Sequence, residues 1–295
     1  MAQDKHTNKL LIIIAWIHEL TSSFRLHAAI IFSFALVLNY LFLKSDIVYV
    51  ACIIILLLIF LPSLKQPGKM KQVKSGNSLK MTSFNLQWNI NSHDRSLQFI
   101  KNEEADIIVL QEVTSSSQKI IETFTEKFPY QYGEGHSHVM LLSKHKLNFV
   151  GYLPWPGKFQ QRALHVTTTL NNQSVHIIAL HMQVTRSWKE LALRNNQIDC
   201  LTETLASISG PVIVIGDFNA GIGASSLNKI KTRSNLLGYG NFWHYHPTWP
   251  SSLGLLGIQL DHILTRGGFA VKSVRAGPKL ESDHRPICAE LIFVK

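Results

Sequence analysis

Four short stretches of this chain run apolar and then stop on a side chain that can do chemistry, and two more place such side chains just before an apolar run. In MTSFNLQWN the stop is Asn85, in DIIVLQEV it is Glu112, and in VHIIALHMQ it is His181. PVIVIGDFNA delivers Asp217 and Asn219 two positions apart, LDHILTR supplies Asp261, and ESDHRPICAEL supplies Asp283 and His284 before a last apolar run. Carboxylates, carboxamides and imidazoles are groups that hold hard cations and move protons near neutral pH. Singly, each has an ordinary explanation. Gly, Asp and Asn favour turns for backbone reasons, and a lone Glu or His after a strand is usually solvated or satisfied in a core. Two positions apart on an extended chain, however, Asp217 and Asn219 share one side, as at a strand end that opens on an active site. Both readings stay open at this level.

The elements that would carry these residues are strands. Their pattern predicts strands over 80–86, 106–113, 138–143, 163–170, 175–181, 211–216, 259–265 and 287–294. NSHDRSLQFIKNEEA and SWKELALRNNQIDCLTETLAS have helical spacing and separate some of them. PVIVIG and DIIVL are apolar without alternation, so sheets covered on both faces are expected. No internal repeat and no low-complexity tract interrupts the pattern.

In this order the motifs resemble the endonuclease/exonuclease/phosphatase superfamily, which also contains pancreatic-type deoxyribonucleases, abasic-site endonucleases, inositol polyphosphate 5-phosphatases and neutral sphingomyelinases. GDFN with the terminal SDHRP carries most of the resemblance, LQE and LDHI add to it, and it covers residues 80–295. TWPS at 248–251 further resembles a bacterial membrane-anchored branch. The resemblance implies an α/β fold of two packed, mainly antiparallel β-sheets flanked by helices, a four-layered α/β sandwich. It also implies a phosphoesterase dependent on Mg²⁺, with Mn²⁺ as a substitute. Hydrolysis of a phosphate ester needs charge neutralisation at the phosphoryl oxygens, an in-line water and help for the leaving group. By resemblance Glu112 is the ligand of the ion, Asn85 lies beside it, and Asp283 supports it. Asp217 positions or deprotonates the attacking water, and Asn219 donates to the phosphoryl oxygen. Asp261 holds the ring of His284 in one tautomer, His284 is the acid/base, and His181 donates a hydrogen bond to the phosphate. Abasic-site enzymes have Tyr where this chain has His181, which argues against that activity. Arg162 in QRALHV and Lys144 in LLSKHK are candidate substrate contacts; for Arg162 an ion pair with a sheet-edge carboxylate is the alternative. Arg194 reads as structural, and His262 as facing away from Asp261. His136, His138, His244 and His246 lack the helical spacing or Cys partners of a zinc site.

The N-terminal part differs in kind. LHAAIIFSFALVLNYLFL (26–43) and IVYVACIIILLLIFLPSL (47–64) carry no charge, and only Lys44, Ser45 and Asp46 separate them. A helix crossing the ~30 Å hydrocarbon core needs about 20 apolar residues. A transmembrane helical hairpin is therefore expected, a buried helical pair in a soluble core being the alternative. LLIIIAWI (10–17) is too short to span and reads as a re-entrant or interfacial helix over 10–20. The expected organisation is a membrane anchor over 1–64, a basic linker over 65–79 and a catalytic domain over 80–295. Lys5, Lys9 and Arg25 precede the hairpin and five lysines follow it, whereas its tip has Lys44 alone. Basic flanks prefer the cytoplasm, which places the large domain there, on a bacterial inner membrane. The lipid bilayer is the expected partner, and no protein partner is inferable.

Composition narrows the function classes. With 46% hydrophobic and 16% charged residues the chain is not disordered. Its net charge of +10 divides into +6 over residues 1–80 and +4 over the rest, which weakens the case for a DNA-binding face on the main domain. Cys52, Cys200 and Cys288 match no zinc or redox spacing and are expected as free thiols. The leading expectation is a membrane-anchored, nuclease-like hydrolase of phosphodiesters or phosphomonoesters, acting by metal-assisted in-line water attack. A lipid or inositol-phosphate phosphoesterase is the alternative. A non-catalytic binding module is a second alternative, which loss of Glu112, Asp217, Asn219 or His284 would suggest; none is missing. Trp155, Trp188, Trp243 and Trp249 fit base stacking, core packing or a bilayer surface alike.

Overall fold

The structure, a computed structural model, describes residues 2–60, 69–74, 78–133, 139–156, 163–240 and 245–294. Among these, two β-sheets are formed. β1 (Ser78–Asn85), β2 (Ile107–Gln111), β3 (Tyr130–Tyr132), β4 (Val139–Ser143), β10 (Phe269–Ala276) and β11 (Ile287–Phe293) make the first, ordered β10-β11-β1-β2-β4-β3. β5 (Asn148–Tyr152), β6 (Ala163–Leu170), β7 (Gln173–His181), β8 (Val212–Asp217) and β9 (Asp261–Arg266) make the second, in that order. Each sheet is mixed: β1 runs parallel to β2, and β7 to β8, while the other neighbours are antiparallel.

Alternation along the strands decides the layering. Ile107 and Val109 of β2 share one buried core with Ile177 of β7 and Ile213 of β8, so the sheets pack face to face. Ile108 and Leu110 point the other way, into a core with Leu97 and Ile100 of α4 (Asp94–Asn102) and Ile121 of α5 (Ser115–Ile121). Val212 and Val214 of β8 likewise meet Ile198 and Leu201 of α6 (Trp188–Ser207) and Ile230 of α7 (Ser225–Ser234). Helix, sheet, sheet and helix stack as the expected four layers. Covering both faces is why these strands read as unbroken apolar runs. β3, β5 and β10 carry no such signal. β3 has three half-buried residues, β5 is an edge strand whose Asn148, Phe149 and Val150 are exposed, and β10 is interrupted by a register shift after Val271.

The N-terminal residues form α1 (Ala2–Ser23), α2 (Arg25–Leu38), a π-helical continuation over Asn39–Leu43, and α3 (Asp46–Phe60). The chain reverses at Lys44, whose φ is +48°. The buried Asn39 closes the reversal: its Nδ2 donates to Ser45 O at 3.0 Å and its Oδ1 accepts the Ser45 N–H at 3.1 Å. α2 and α3 pack together and leave Ile30, Phe34, Leu41, Ile47 and Ile54 exposed. The hairpin expected over 26–64 thus forms, with 61–64 outside the described residues. Its two transmembrane spans are not seen as such, because among the described residues no single helix is long and apolar enough to cross a membrane. At ~1.5 Å per residue, α3 reaches only about 22 Å against a ~30 Å core. One bent pair, Leu11–Ser23 with His27–Leu43 at 79°, has the length and composition together.

α1 does not stand apart: it lies on α6 and α7. Residues 69–73 of the expected linker also run along the domain. Met70 N donates to Gly238 O at 2.9 Å, Val73 N donates to Val271 O at 3.0 Å, and the Met70 side chain joins the inter-sheet core. Linker residues 65–68 and 75–77 lie outside the described residues.

Candidate active site

The carboxyl ends of the two parallel pairs meet at one end of the sandwich, and the polar strand ends converge there. Asn85 closes β1. Its Nδ2 donates to Glu112 Oε1 at 3.1 Å and to Asp217 Oδ2 at 3.0 Å, so one carboxamide ties the first sheet to the second. Its Oδ1 accepts the Gln87 N–H at 2.9 Å, and its backbone oxygen accepts the Ser282 hydroxyl at 2.6 Å. Glu112 follows β2 with φ +56°, a left-handed conformation that costs a non-glycine residue about 1–2 kcal/mol. Its Oε2 accepts the Trp88 N–H at 3.0 Å.

His181 closes β7 directly opposite Asp217, with Nε2 at 3.6 Å from Asp217 Oδ2 and 3.8 Å from Glu112 Oε1. Gly216 explains how β7 and β8 come so close. Its φ is +150°, and a Cβ there would run into the backbone of Leu180. Phe218 turns into the core behind α6 and α7, which leaves Asp217 and Asn219 to face the cleft. Asn219, at φ +48°, donates its N–H to Asp217 Oδ1 at 2.7 Å and its Nδ2 to Met182 O at 2.9 Å. The segment is a turn and a wall of the cleft at once.

Asp261 opens β9 across from Asp217. Its Oδ2 lies 2.9 Å from His284 Nδ1, and His284 Nε2 lies 3.8 Å from Asp217 Oδ2. The Thr248 hydroxyl oxygen accepts the Asp261 N–H at 3.3 Å, and Ser282 Oγ accepts the His284 N–H at 3.0 Å. Asp283 sits at the rim, where its Oδ2 accepts the Trp249 indole N–H at 2.9 Å and its own N–H donates to Gln87 Oε1 at 2.7 Å. Glu112, His181, Asp217, Asn219, Asp283 and His284 line a cleft of about 680 Å³.

The charges act on one another. Burial, then the neighbouring Asp261, pushes the Asp217 carboxyl up to about 7, against the pull of His284 and of the Asn219 and Asn85 donors. Burial alone would lower His284, but Asp261 and Asp217 raise it to about 10. The imidazole is therefore held as a cation between two carboxylates. His262 is the contrast: burial takes it down to about 4, and its Nε2 meets Ala220 O at 2.8 Å on the other side of the strand.

The donor set suits a hard divalent cation. Glu112, Asp217 and Asp283 bring three carboxylates to the cleft, Asn85 adds a carbonyl oxygen beside Glu112, and Asp261 stands behind His284 with its Oδ1 buried and without a hydrogen-bond partner among the described residues. Asp217, Asp261 and His284 also offer ligand atoms within 4.8 Å of one another. Within that trio Asp261 Oδ2 and His284 Nδ1 already bind each other, which leaves the Glu112 and Asn85 side as the freer seat for an ion.

One expected substrate contact does not join the cluster. Lys144 follows β4 at the opposite end of the first sheet, with Nζ 3.8 Å from Asp106. Arg162 lies outside the described residues, as do His136, His138, His244 and Trp243. Trp155 is core, and Arg194 is buried with Nε and Nη2 donating to Gln183 O at 2.7 and 2.5 Å. The three cysteines are free. Sequence reasoning missed the supporting roles of Gln87, Thr248, Trp249 and Ser282. TWPS and SDHRP already held three of these residues, but nothing local to them indicated what they would brace. It also missed Trp16, Leu20 and Phe24 of the α1 region, which line the cleft.

Fold and site together define a metal-dependent hydrolase of phosphate esters. Residues 86–284 match the model of the Endonuclease/Exonuclease/phosphatase family, and the chain belongs to that family. Among solved structures it is similar to an endonuclease/exonuclease/phosphatase from Beutenbergia cavernae, at 16% identity and TM-score 0.59, over 74% of this chain and 72% of that one. It is also similar to D. rerio TDP2 complexed with a single-strand DNA product, at 16% identity and TM-score 0.61, over 73% and 99%. A beta toxin from Staphylococcus aureus aligns at 16% identity and TM-score 0.53, over 72% and 99%. At such identities the likeness is one of fold. A comparison with curated proteins finds no match.

Proposed function

We propose that this chain is a membrane-anchored phosphodiesterase of the nuclease type that uses Mg²⁺, with Mn²⁺ as substitute. The observation that carries the reading is the bridge from Glu112 through Asn85 Nδ2 to Asp217, beside the Asp261–His284 pair. Glu112, Asn85 and Asp283 would hold the ion, which when bound supplies charge neutralisation at the phosphoryl oxygens. Asp217 takes the proton of the attacking water, its burial and its neighbour Asp261 having made it a stronger base than an ordinary carboxylate. His284, kept cationic by Asp261, and His181 face the same space and donate to oxygens that gain negative charge in the transition state. Asn219 holds Asp217 in place through its N–H and, lining the same cleft, would donate to the same oxygens. The α2–α3 hairpin, with its apolar exterior, serves as the anchor, and the basic flanks place the catalytic part in the cytoplasm.

A nucleic-acid phosphodiester is the first substrate class, in keeping with the DNA product bound by one fold neighbour. A lipid or inositol-phosphate ester is the second, and a specific observation favours it. Leu253, Leu255 and Leu256 are 52%, 84% and 62% exposed, and Leu256 O meets His27 Nε2 at 2.5 Å, so an apolar loop adjoins the base of the apolar hairpin. The test is turnover by the detergent-solubilised chain with Mg²⁺, Mn²⁺ or chelator. The substrates are bis-p-nitrophenyl phosphate, plasmid DNA, RNA, phosphoinositides and sphingomyelin. Metal-dependent cleavage that His284→Ala abolishes is expected. No metal-dependent turnover on any of them would leave a binding module.

A further inference from the structure

Glu19 is an acid in the middle of an apolar stretch, LLIIIAWIHEL, yet it is only 3% exposed. Its partners lie in the catalytic part. Arg194 Nη1 donates to Glu19 Oε1 at 3.4 Å, Ser226 N donates to Oε2 at 3.1 Å, and the Ser226 hydroxyl donates to Oε1. Ser226 stands in the first turn of α7, whose own cap residue is Ala224 and has no side chain to satisfy that turn. A carboxylate at a helix N-terminus meets unpaired N–H groups and the positive end of the helix dipole. Glu19 thus caps α7 from another element. The same Arg194 donates through Nη2 to Asn219 O at 2.7 Å, within the Asp217–Asn219 loop.

The loop is shaped to receive the helix. A Cβ on Gly221 would lie 2.7 Å from Ser23 O, and one on Gly223 would lie 2.8 Å from Ser22 O. Gly221 N donates to Ser23 Oγ at 3.2 Å. Two turns further back, Trp16 Nε1 donates to Thr185 O at 2.9 Å. Trp16, Glu19, Leu20 and Ser23 recur at helical spacing and make up the face of α1 turned to the domain. Leu11, Ile14 and Ile17 on the other side are exposed. Three of the four inward residues, Trp16, Leu20 and Ser23, line the same cleft as Glu112 and His284.

We infer that α1 is a working part of the active site: Glu19, through Arg194 and Ser226, positions the Asp217–Asn219 loop, and Trp16 with Leu20 forms one wall of the substrate cleft. Glu19 is a positioning residue, since it acts through Arg194 and α7. The catalytic unit then includes α1 and does not begin near residue 80. The wall is aromatic and aliphatic, which favours phosphate esters with an apolar or aromatic group beside the scissile bond. This inference rests on the phosphoesterase reading for its kinetics but not for its exchange measurement.

The test uses the full chain in detergent. Glu19→Ala is expected to lower kcat for bis-p-nitrophenyl phosphate about tenfold or more, as small displacements of reacting groups do. Its metal titration stays unchanged, and Glu19→Gln, which keeps the shape but only one of the two accepting oxygens, recovers part of the loss. Trp16→Ala is expected to raise KM for that aryl ester and leave kcat within about twofold, since uniform binding alone is removed. Amide hydrogen exchange at Gly221 and Ser226 is expected to be about tenfold faster in Glu19→Ala. Wild-type kinetics in both variants, with unchanged exchange at Gly221 and Ser226, would overturn the inference. Should Glu19→Ala not fold, Trp16→Ala and Ser23→Ala decide it alone: unchanged KM in the first and unchanged Gly221 exchange in the second overturn it. A wild-type chain without metal-dependent turnover would remove the phosphoesterase reading, and the exchange result would still decide whether α1 is docked.

Discussion

At the scale of single residues the site is a balance of charges that cannot be changed one at a time. His284 stands between Asp261 and Asp217, and Glu112 shares Asn85 with Asp217. His284→Ala is expected to reduce turnover by about 10²–10⁴, the usual worth of a positioned proton donor, with the circular dichroism spectrum unchanged. Glu112→Gln should raise the Mg²⁺ concentration for half-maximal activity on the order of tenfold or more, read from a metal titration. A pH effect follows from His284 in the metal-free protein. Its folded pKa of about 10 is above the ordinary imidazole value of about 6.5, so its contribution to stability is full below about 6.5 and lost as pH rises through about 10. Thermal unfolding should therefore show the advantage of the wild type over His284→Gln to be larger at pH 6 than at pH 9.

At the scale of elements, the strands that could be read from the sequence are those buried on both faces, because burial leaves an unbroken apolar run. β2 and β8 are such strands. β3 and β5 pack on one side or at an edge, and their residues look like loop. α5 and α7 are similarly short and polar, and a capping box at Thr114 is the main local mark of α5. The glycine of GDFN belongs to this scale as well. Since a Cβ at Gly216 would strike the Leu180 backbone, Gly216→Ala should push β8 from β7 and cost about 2 kcal/mol or more. Differential scanning calorimetry should record a Tm lower by several degrees, at about 2–4 °C per kcal/mol for a chain of this size.

At the scale of the whole molecule, the apolar N-terminal helices and the sandwich are joined more closely than a tether would join them. α1 lies on α6 and α7, residues 69–73 follow the domain, and loop 251–256 touches the start of α2. This arrangement sets the cleft beside the apolar hairpin, so that a bilayer holding α2 and α3 would lie near the substrate entrance. The double variant Phe34→Glu with Ile54→Glu places charges on two exposed positions of that hairpin. In a flotation assay the wild-type chain is expected to rise with neutral phosphatidylcholine vesicles and the variant to stay in the dense layer. Flotation of both alike would count against the hairpin as the anchor.

The residue types of the site, their order along the chain and their attachment to strand ends were legible in the sequence, because a buried strand announces itself and a polar stop after it is conspicuous. The two apolar N-terminal runs were legible for the same reason. Which of these groups meet was decided only by the tertiary structure. Asn85 touches Asp217 across 132 positions of sequence, and Lys144 falls at the far end of its sheet although it too follows a strand. Glu19 reaches Arg194 across 175 positions. Local spacing encodes the period and the face of one element. Contacts between elements depend on strand order, on the direction of each strand and on which two faces pack, and no local stretch of the chain carries that information.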